Sequence, residues 1–239
     1  MALIEEYEST GNRLFRKRSY IPLVLYVLAT LVMYFDRNFF TDSNGEIFSV
    51  ICLIISLFGL FIRIVAIGYS QKGTSGRNVH GQKADALNTK GIYSAVRHPL
   101  YLGNFFMWLG IVVYVANAWF ILAVILLFWI YYERIMFAEE GYLRKKFGDV
   151  YLEWAAKTPA FIPSFKAYEK SDSRFKTKDV IKRENYGFTA LAVSFAYISF
   201  IKNFLYRRVY EIEPVWFYFL VISIITFIIL RILKKNKKL

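Results

Sequence analysis

The chain has 239 residues, of which 56% are hydrophobic and 19% aromatic, against 21% charged. A soluble domain of this size is excluded by that much apolar surface, disorder by the same hydrophobicity, and a disulfide framework or structural zinc site by a single cysteine, Cys52, and two histidines. The net charge of +13 sits in short segments flanking apolar runs, which marks cytoplasmic loops of a membrane protein rather than a nucleic-acid-binding face.

In chain order, residues 1–19 carry several charges and no cleavage site of small residues, which predicts a cytoplasmic leader or interfacial helix rather than a removed signal peptide. Six apolar stretches follow: Tyr20–Phe35, Ile47–Tyr69, Leu100–Ala116, Trp119–Phe137, Gly187–Tyr206 and Val215–Leu233. A membrane-crossing helix needs about 20 apolar residues, so the expected fold is all-α, a polytopic membrane protein with about six spans. Arg13, Arg16, Lys17 and Arg18 precede the first span. Lys72, Arg77, Lys83, Lys90 and Arg97 lie between the second and third, and Lys234, Lys235, Lys237 and Lys238 close the chain. The positive-inside rule then places both termini and the 70–99 and 138–186 connections in the cytoplasm. Arg207 and Arg208, facing Glu211 and Glu213 in the last turn, are the arrangement's weak point. Three regions emerge: 1–81 with the leader and two spans, 82–165 as a central core, and 166–239 with a linker and two further spans.

Two polar segments, one leading into the third span and one following the fourth, fall on the same side of the membrane and are tied together by the tight hairpin of those two spans. In the first, Gly91 marks a turn and Pro99 opens a helix, because proline suits the first helical position. His98 falls at the N-cap, beside free N–H groups and the positive end of the helix dipole. Arg97-His98-Pro99-Leu100-Tyr101 therefore reads either as an anion cradle or as a plain helix start with Tyr101 in an aromatic belt. In the second, Glu139 and Glu140 lie where acidic groups oppose a helix dipole. Either they meet a cationic ligand, or the helix continues and they face Arg144 or Lys145 at helical spacing. Arg134 and Arg63, charges at or within apolar runs, call for a partner, snorkelling or a function. A cradle and a carboxylate pair on adjacent helix ends match a zwitterionic ligand such as an amino-acid headgroup. The Gly73–Asn78 stretch with Lys72 and Lys83 is either a flexible basic loop or a phosphate site.

The pattern Gly91-x-Tyr93-x-x-x-Arg97-His98-Pro99-x-Tyr101-x-Gly103, followed by Glu139-Glu140-x-x-Leu143-x-x-x-Phe147-Gly148-x-x-Tyr151 and Pro159…Pro163, resembles the integral-membrane methyltransferases. That superfamily holds isoprenylcysteine carboxyl methyltransferase and the phospholipid methyltransferases. The resemblance covers about residues 82–165. It implies S-adenosylmethionine as cofactor, bound at the cytoplasmic face, and a lipid or lipid-anchored acceptor (carboxylate, phosphate or amine). It implies that His98, Pro99, Leu100, Tyr101 and Gly103 hold the methionine end and that Glu139 or Glu140 meets its ammonium. Gln82, Leu87, Asn88 and Tyr93 would line the adenosine, with Arg134 and Glu140 as the catalytic pair. No metal or nucleic acid is implied. Trp154 stands where a second tyrosine is common, and Ala160 where a basic residue often sits. Two other readings remain: an NADPH-dependent membrane reductase resembling the sterol reductases, and a non-enzymatic membrane protein.

Overall fold

The computed structural model describes residues 2–18, 20–36, 45–71, 73–74, 82 and 84–236, without the side chains of residues 21 and 22. Arg37, Asp42, Lys72, Arg77, Lys83, Lys237, Lys238 and most of the Gly73–Asn78 stretch lie outside the described residues. The regular secondary structure of the described residues is helical, with α1 at Leu3–Lys17, α2 at Ile21–Phe35, α3 at Glu46–Gly68, α4 at Ile92–Ala95 and α5 at Pro99–Val115. Then come α6 at Ala118–Phe147, α7 at Asp149–Lys157, α8 at Thr177–Lys202, a π-helical turn at Asn203–Arg207 and α9 at Pro214–Lys235.

Four helical stretches are long and apolar enough to cross a bilayer: Glu46–Gly68, Ala118–Phe147, Thr177–Arg207 and Pro214–Lys235. The other two expected spans are shorter, α2 with 15 residues and α5 with 17. Helix α6 has 30 residues and so extends about 45 Å, beyond a hydrocarbon core of about 30 Å. Its apolar part ends at Phe137, and the turns carrying Glu139 and Glu140 project past it. The helix does continue through the two glutamates into Arg144, Lys145 and Lys146, which suit the negative end of its dipole.

The chain divides into two compact units. The first comprises Met1–Leu23, Val65–Leu102 and Ile125–Lys176. In it, α1 carries Glu5 and Glu6 in its first turn and Arg16 and Lys17 in its last, matching its own dipole. It lies along α6: a Cβ on Gly11 would collide with the Arg134 carbonyl and the Ala138 side chain. The Tyr131 hydroxyl donates to the Leu14 carbonyl at 2.9 Å, and Lys145 pairs with Glu8 at 3.0 Å. The N-terminal segment is thus a helix packed on the half of α6 that carries Tyr131, Arg134, Ala138 and Lys145.

The second unit comprises Val24–Ile64, Gly103–Val124 and Thr177–Leu239. Its core is built on Cys52, Tyr114, Phe195 and Trp216, with Phe195 and Trp216 stacked at 4.7 Å. Helices α3 and α5 approach closely because each presents glycine: a Cβ on Gly59 or Gly103 would strike the other's carbonyl oxygen. Small residues serve apolar helices in this way where no hydrophobic effect drives them together. Between α2 and α8, Tyr26 meets Ser194 at 2.6 Å and Thr30 meets Tyr197 at 2.7 Å. Helix α8 begins at Thr177, ten residues before the expected Gly187, because its polar first turns carry Glu184 to Arg63. Arg63 donates Nε and Nη2 to Glu184 at 2.8 and 2.7 Å and Nη1 to Asn104 at 2.7 Å. That answers the need of Arg63 for a partner. Lys202, buried, places its ammonium 3.9 Å from the Tyr114 ring centre, and Arg207 reaches Glu213 at 4.0 Å.

Candidate functional site

The site lies in the first unit, where the turn before α5 meets the polar end of α6. Pro99 opens α5 as expected, and His98 caps it: the N–H groups of Tyr101 and Leu102 both donate to the His98 carbonyl at 3.1 Å. The preceding turn is held from outside by the 159–169 segment. Arg97 N–H donates to Pro159 O at 2.9 Å, His98 N–H to Ala160 O at 3.2 Å and Ser164 N–H to Ala95 O at 2.9 Å. At the far end Gly91, with φ +64°, donates to Glu169 O at 2.7 Å. The prolines of this segment therefore shape a strap, and Ala160 contributes through its backbone, which is indifferent to the side chain at that position.

The side chains converge on Glu140. Arg97 Nε donates to Oε1 at 2.9 Å and Nη2 to Oε2 at 3.2 Å, while His98 Nε2 donates to Oε1 at 2.9 Å. The remaining nitrogen of Arg97, Nη1, donates to the carbonyls of Ala155 and Thr158, both at 2.8 Å. One guanidinium thereby ties α6, the turn before α5 and the end of α7 together. Burial by itself would raise the Glu140 carboxyl, but the hydrogen bond from His98 and the charges of His98 and Arg97 outweigh it and bring the pKa down to about 2.

Glu139 is arranged differently. It accepts the Tyr101 hydroxyl at 2.7 Å, stands 3.7 Å from His98 Nδ1, and keeps 31% of its side chain exposed. The Tyr101 ring stacks on His98 with centroids 5.5 Å apart. Tyr93 is joined to the cluster through Trp154, whose indole N–H donates to the Tyr93 carbonyl at 3.0 Å. That contact gives Trp154 a polar partner of its own in place of a second tyrosine. Helix α7 turns back toward the cluster at Gly148, whose φ of +54° favours glycine.

Thus Arg97, His98, Tyr101, Glu139 and Glu140 are brought together, with Pro99 and Leu100 in the first turn of α5 and Tyr93 one hydrogen bond away. The anion cradle and the carboxylate pair do not stand apart to hold opposite ends of a ligand: Glu140 fills the cradle itself. The other expected residues sit elsewhere. Asn88 accepts the Gln71 N–H at 2.9 Å and donates to Thr74 at 2.7 Å, closing the loop beside α3. Gln82 approaches Asn12 of α1 at 3.4 Å, and Leu87, next to Asn88, is half-buried. Gly103 lies against Gly59 and Arg63 of α3. Arg134 lays its guanidinium 4.3 Å from the Tyr7 ring centre.

Two participants have roles that the sequence pattern does not assign. Arg97 was legible as a charge, yet not as the bracket between three segments. Tyr151 is 3% exposed, and the negative charges of Glu140 and Glu139 both act on it. Its position three residues after Gly148 was the signal available.

Known proteins align with this arrangement. The phospholipid methyltransferase family matches residues 47–150. The protein-S-isoprenylcysteine O-methyltransferase of Xenopus laevis is 36% identical over 152 residues, covering 59% of this chain and 51% of its own length. The enzyme of that name from Schizosaccharomyces pombe is 40% identical over 82 residues, 34% of each chain. The cobalt-zinc-cadmium resistance protein CzcN of Cupriavidus metallidurans is 29% identical over 146 residues, 61% of this chain and 62% of its own. The chain therefore spans between about a third and three fifths of these relatives' lengths. No solved structure matches. Residues 47–150, which contain all of α3 but Glu46, all of α5 and α6 and the Arg97–His98–Glu140 bracket, are the part of the chain that resembles the phospholipid methyltransferase family of membrane methyltransferases.

Proposed function

We propose that the protein is an S-adenosylmethionine-dependent methyltransferase that modifies a lipid or lipid-anchored acceptor at the cytoplasmic side of a membrane. The observation that carries this reading is the 2.9 Å contact between His98 and Glu140, which joins the two halves of the methyltransferase-like motif at one point. The residues present suit the cofactor. Glu139 is a partly exposed carboxylate with one oxygen toward Tyr101, which fits an ammonium, and the Tyr101 ring is stacked on His98 beside it. The basic flanks of the spans support a cytoplasmic placement of the site and of both termini.

The geometry divides the work between the two glutamates. Glu140, engaged by Arg97 and His98, acts as a positioning residue. Glu139 takes the ammonium. When bound, the cofactor supplies a methyl group on a sulfonium, the electrophile of an in-line displacement. The protein contributes by fixing the tail and excluding rotation, since orienting reactants can lower a barrier by roughly 7–11 kcal/mol. An anionic acceptor would need no proton removed before receiving that methyl group, so no general base would be required of the chain. Arg134, at the end of the apolar part of α6, aligns that anion, with Tyr7 packed over its guanidinium.

The test is calorimetric titration of S-adenosylhomocysteine into the purified full chain. Binding to the wild type, weakened by Glu139→Gln, is the expected result. Absence of binding, or binding of NADPH in its place, defeats the reading. Lipid mass spectrometry with and without the gene then identifies the acceptor by its lost methyl group.

A further inference from the structure

The 159–169 segment braces the turn before α5, yet it leaves large apolar side chains uncovered. Ile162 is 76% exposed, Phe165 71% and Tyr168 53%. Phe165 and Tyr168 lie ring to ring at 6.4 Å, so this apolar crest packs on itself. Its level along α6 is set by Phe161, which meets Trp129 edge-on at 5.5 Å and Phe128 at 6.4 Å. Both partners belong to the apolar run of α6, whose first charge, the exposed Glu133, follows Trp129 by four residues, about 6 Å along the axis. Trp129, Tyr131 and Tyr132, just before that charge, have the make-up of the aromatic belt at a membrane–water boundary. Leu126, Leu127 and Ile130 of the same stretch are exposed, as side chains that face acyl chains are. The crest therefore continues a lipid-facing surface.

The backbone suits that level. Pro159 and Pro163 have no N–H to leave unpaired, the carbonyls of Pro159 and Ala160 accept from Arg97 and His98, and the Ser164 N–H is taken by Ala95 O. The charges suit it too. Lys166 and Lys170 are exposed beside the crest, against the single acid Glu169. Lysines rimming apolar and aromatic side chains match headgroups above acyl chains, whereas protein-binding surfaces are depleted in lysine.

We propose that residues 161–168 form a membrane-seated loop, with Ile162, Phe165 and Tyr168 in the interfacial layer of the leaflet beside Trp129, and that this seat steadies the turn carrying Arg97 and His98. The link to the turn is direct, through the backbone bonds of Pro159 and Ala160. The placement requires only that α6 crosses the bilayer, whatever reaction the site performs.

The experiment uses the purified full chain carrying Cys52→Ala, reconstituted in vesicles of phosphatidylcholine and phosphatidylglycerol, with single nitroxide labels at Ile162→Cys and Phe165→Cys. Leu126→Cys on α6 and Ala156→Cys on α7, both at exposed positions, give the lipid and water references. Collision of each label with oxygen, which concentrates in lipid, is compared with collision with a water-soluble nickel chelate. The oxygen-to-nickel ratio at 162 and 165 should shift from the value at 156 toward the value at 126. A ratio equal to that at 156 overturns the proposal. So does a low collision rate with both reagents, which would mark cover by protein, a second copy of this chain included. In the same vesicles, unlabelled chain with Ile162→Asp and Phe165→Asp should exchange the Arg97 and His98 amide hydrogens about tenfold faster or more, the effect of losing one apolar side chain's burial, with α9 unchanged. Unchanged exchange at 97 and 98, or acceleration no greater than in α9, overturns the hold of the seat on the turn.

Discussion

Arg97 and Glu140 face each other fork to fork, with Nε to Oε1 at 2.9 Å and Nη2 to Oε2 at 3.2 Å. A planar guanidinium matches a carboxylate in this way, and a lysine ammonium does not. Arg97→Lys keeps the charge but loses the second contact to Glu140 and the pair of contacts to Ala155 and Thr158. S-adenosylhomocysteine affinity should fall by about tenfold or more, the worth of one charge-assisted hydrogen bond, as read by calorimetry. Unchanged affinity would show that the bracket does not shape the binding site.

The acidity of Glu140 gives a signed pH dependence. Its carboxyl is lowered from an ordinary 4.5 to about 2 in the folded protein. A depressed carboxyl contributes stability that is complete above its unfolded pKa and lost as pH falls through its folded one. The melting temperature of the wild type should therefore drop between about pH 4.5 and pH 2 by more than that of Glu140→Gln. Parallel pH profiles for the two proteins would refute the assignment.

Gly11 is the closest point between α1 and α6, where a Cβ would meet the Arg134 carbonyl. Gly11→Val forces the helices apart, with a cost of roughly 1–3 kcal/mol typical of overpacking. Hydrogen exchange of residues 3–17 should accelerate while that of α9 stays constant. If α1 remains as protected as in the wild type, the packing described here is not the one in solution.

Glu184 is 4% exposed and faces Arg63. Removing one partner of a buried pair commonly costs about 3–5 kcal/mol, whereas replacing both by apolar groups is often neutral. Glu184→Ala should lower the melting temperature strongly, and the double variant Arg63→Met, Glu184→Leu should recover much of the loss. A double variant no better than the single one would mean that the pair contributes something an apolar contact cannot replace.

The sequence reveals the apolar helices through length and hydropathy, and the start of α5 through Pro99. Its motifs single out His98, Tyr101, Glu139 and Glu140, which the fold then brings together. The end of α6 was ambiguous because acidic residues against a dipole read equally as a ligand site or a continuing helix, and the helix does continue. The start of α8 was hidden because hydropathy does not register a polar turn that packs inward around one buried carboxylate. The partner of Arg63 lies 121 residues away, beyond any helical spacing rule. The roles of Gln82, Leu87 and Asn88 depend on a connecting loop whose path leaves no periodic trace.

The ion pair inside the second unit has an implication for how the protein can be dissected. Arg63 lies within the span of sequence shared with the methyltransferase family, but the carboxylate that answers it comes from α8, outside that span. Trimming the molecule to residues 47–150 would leave that guanidinium with Asn104 but without its carboxylate. Helix α8 therefore supplies an internal counterion, and the 47–150 portion is best studied as a free-standing fragment only after that arginine has been neutralised.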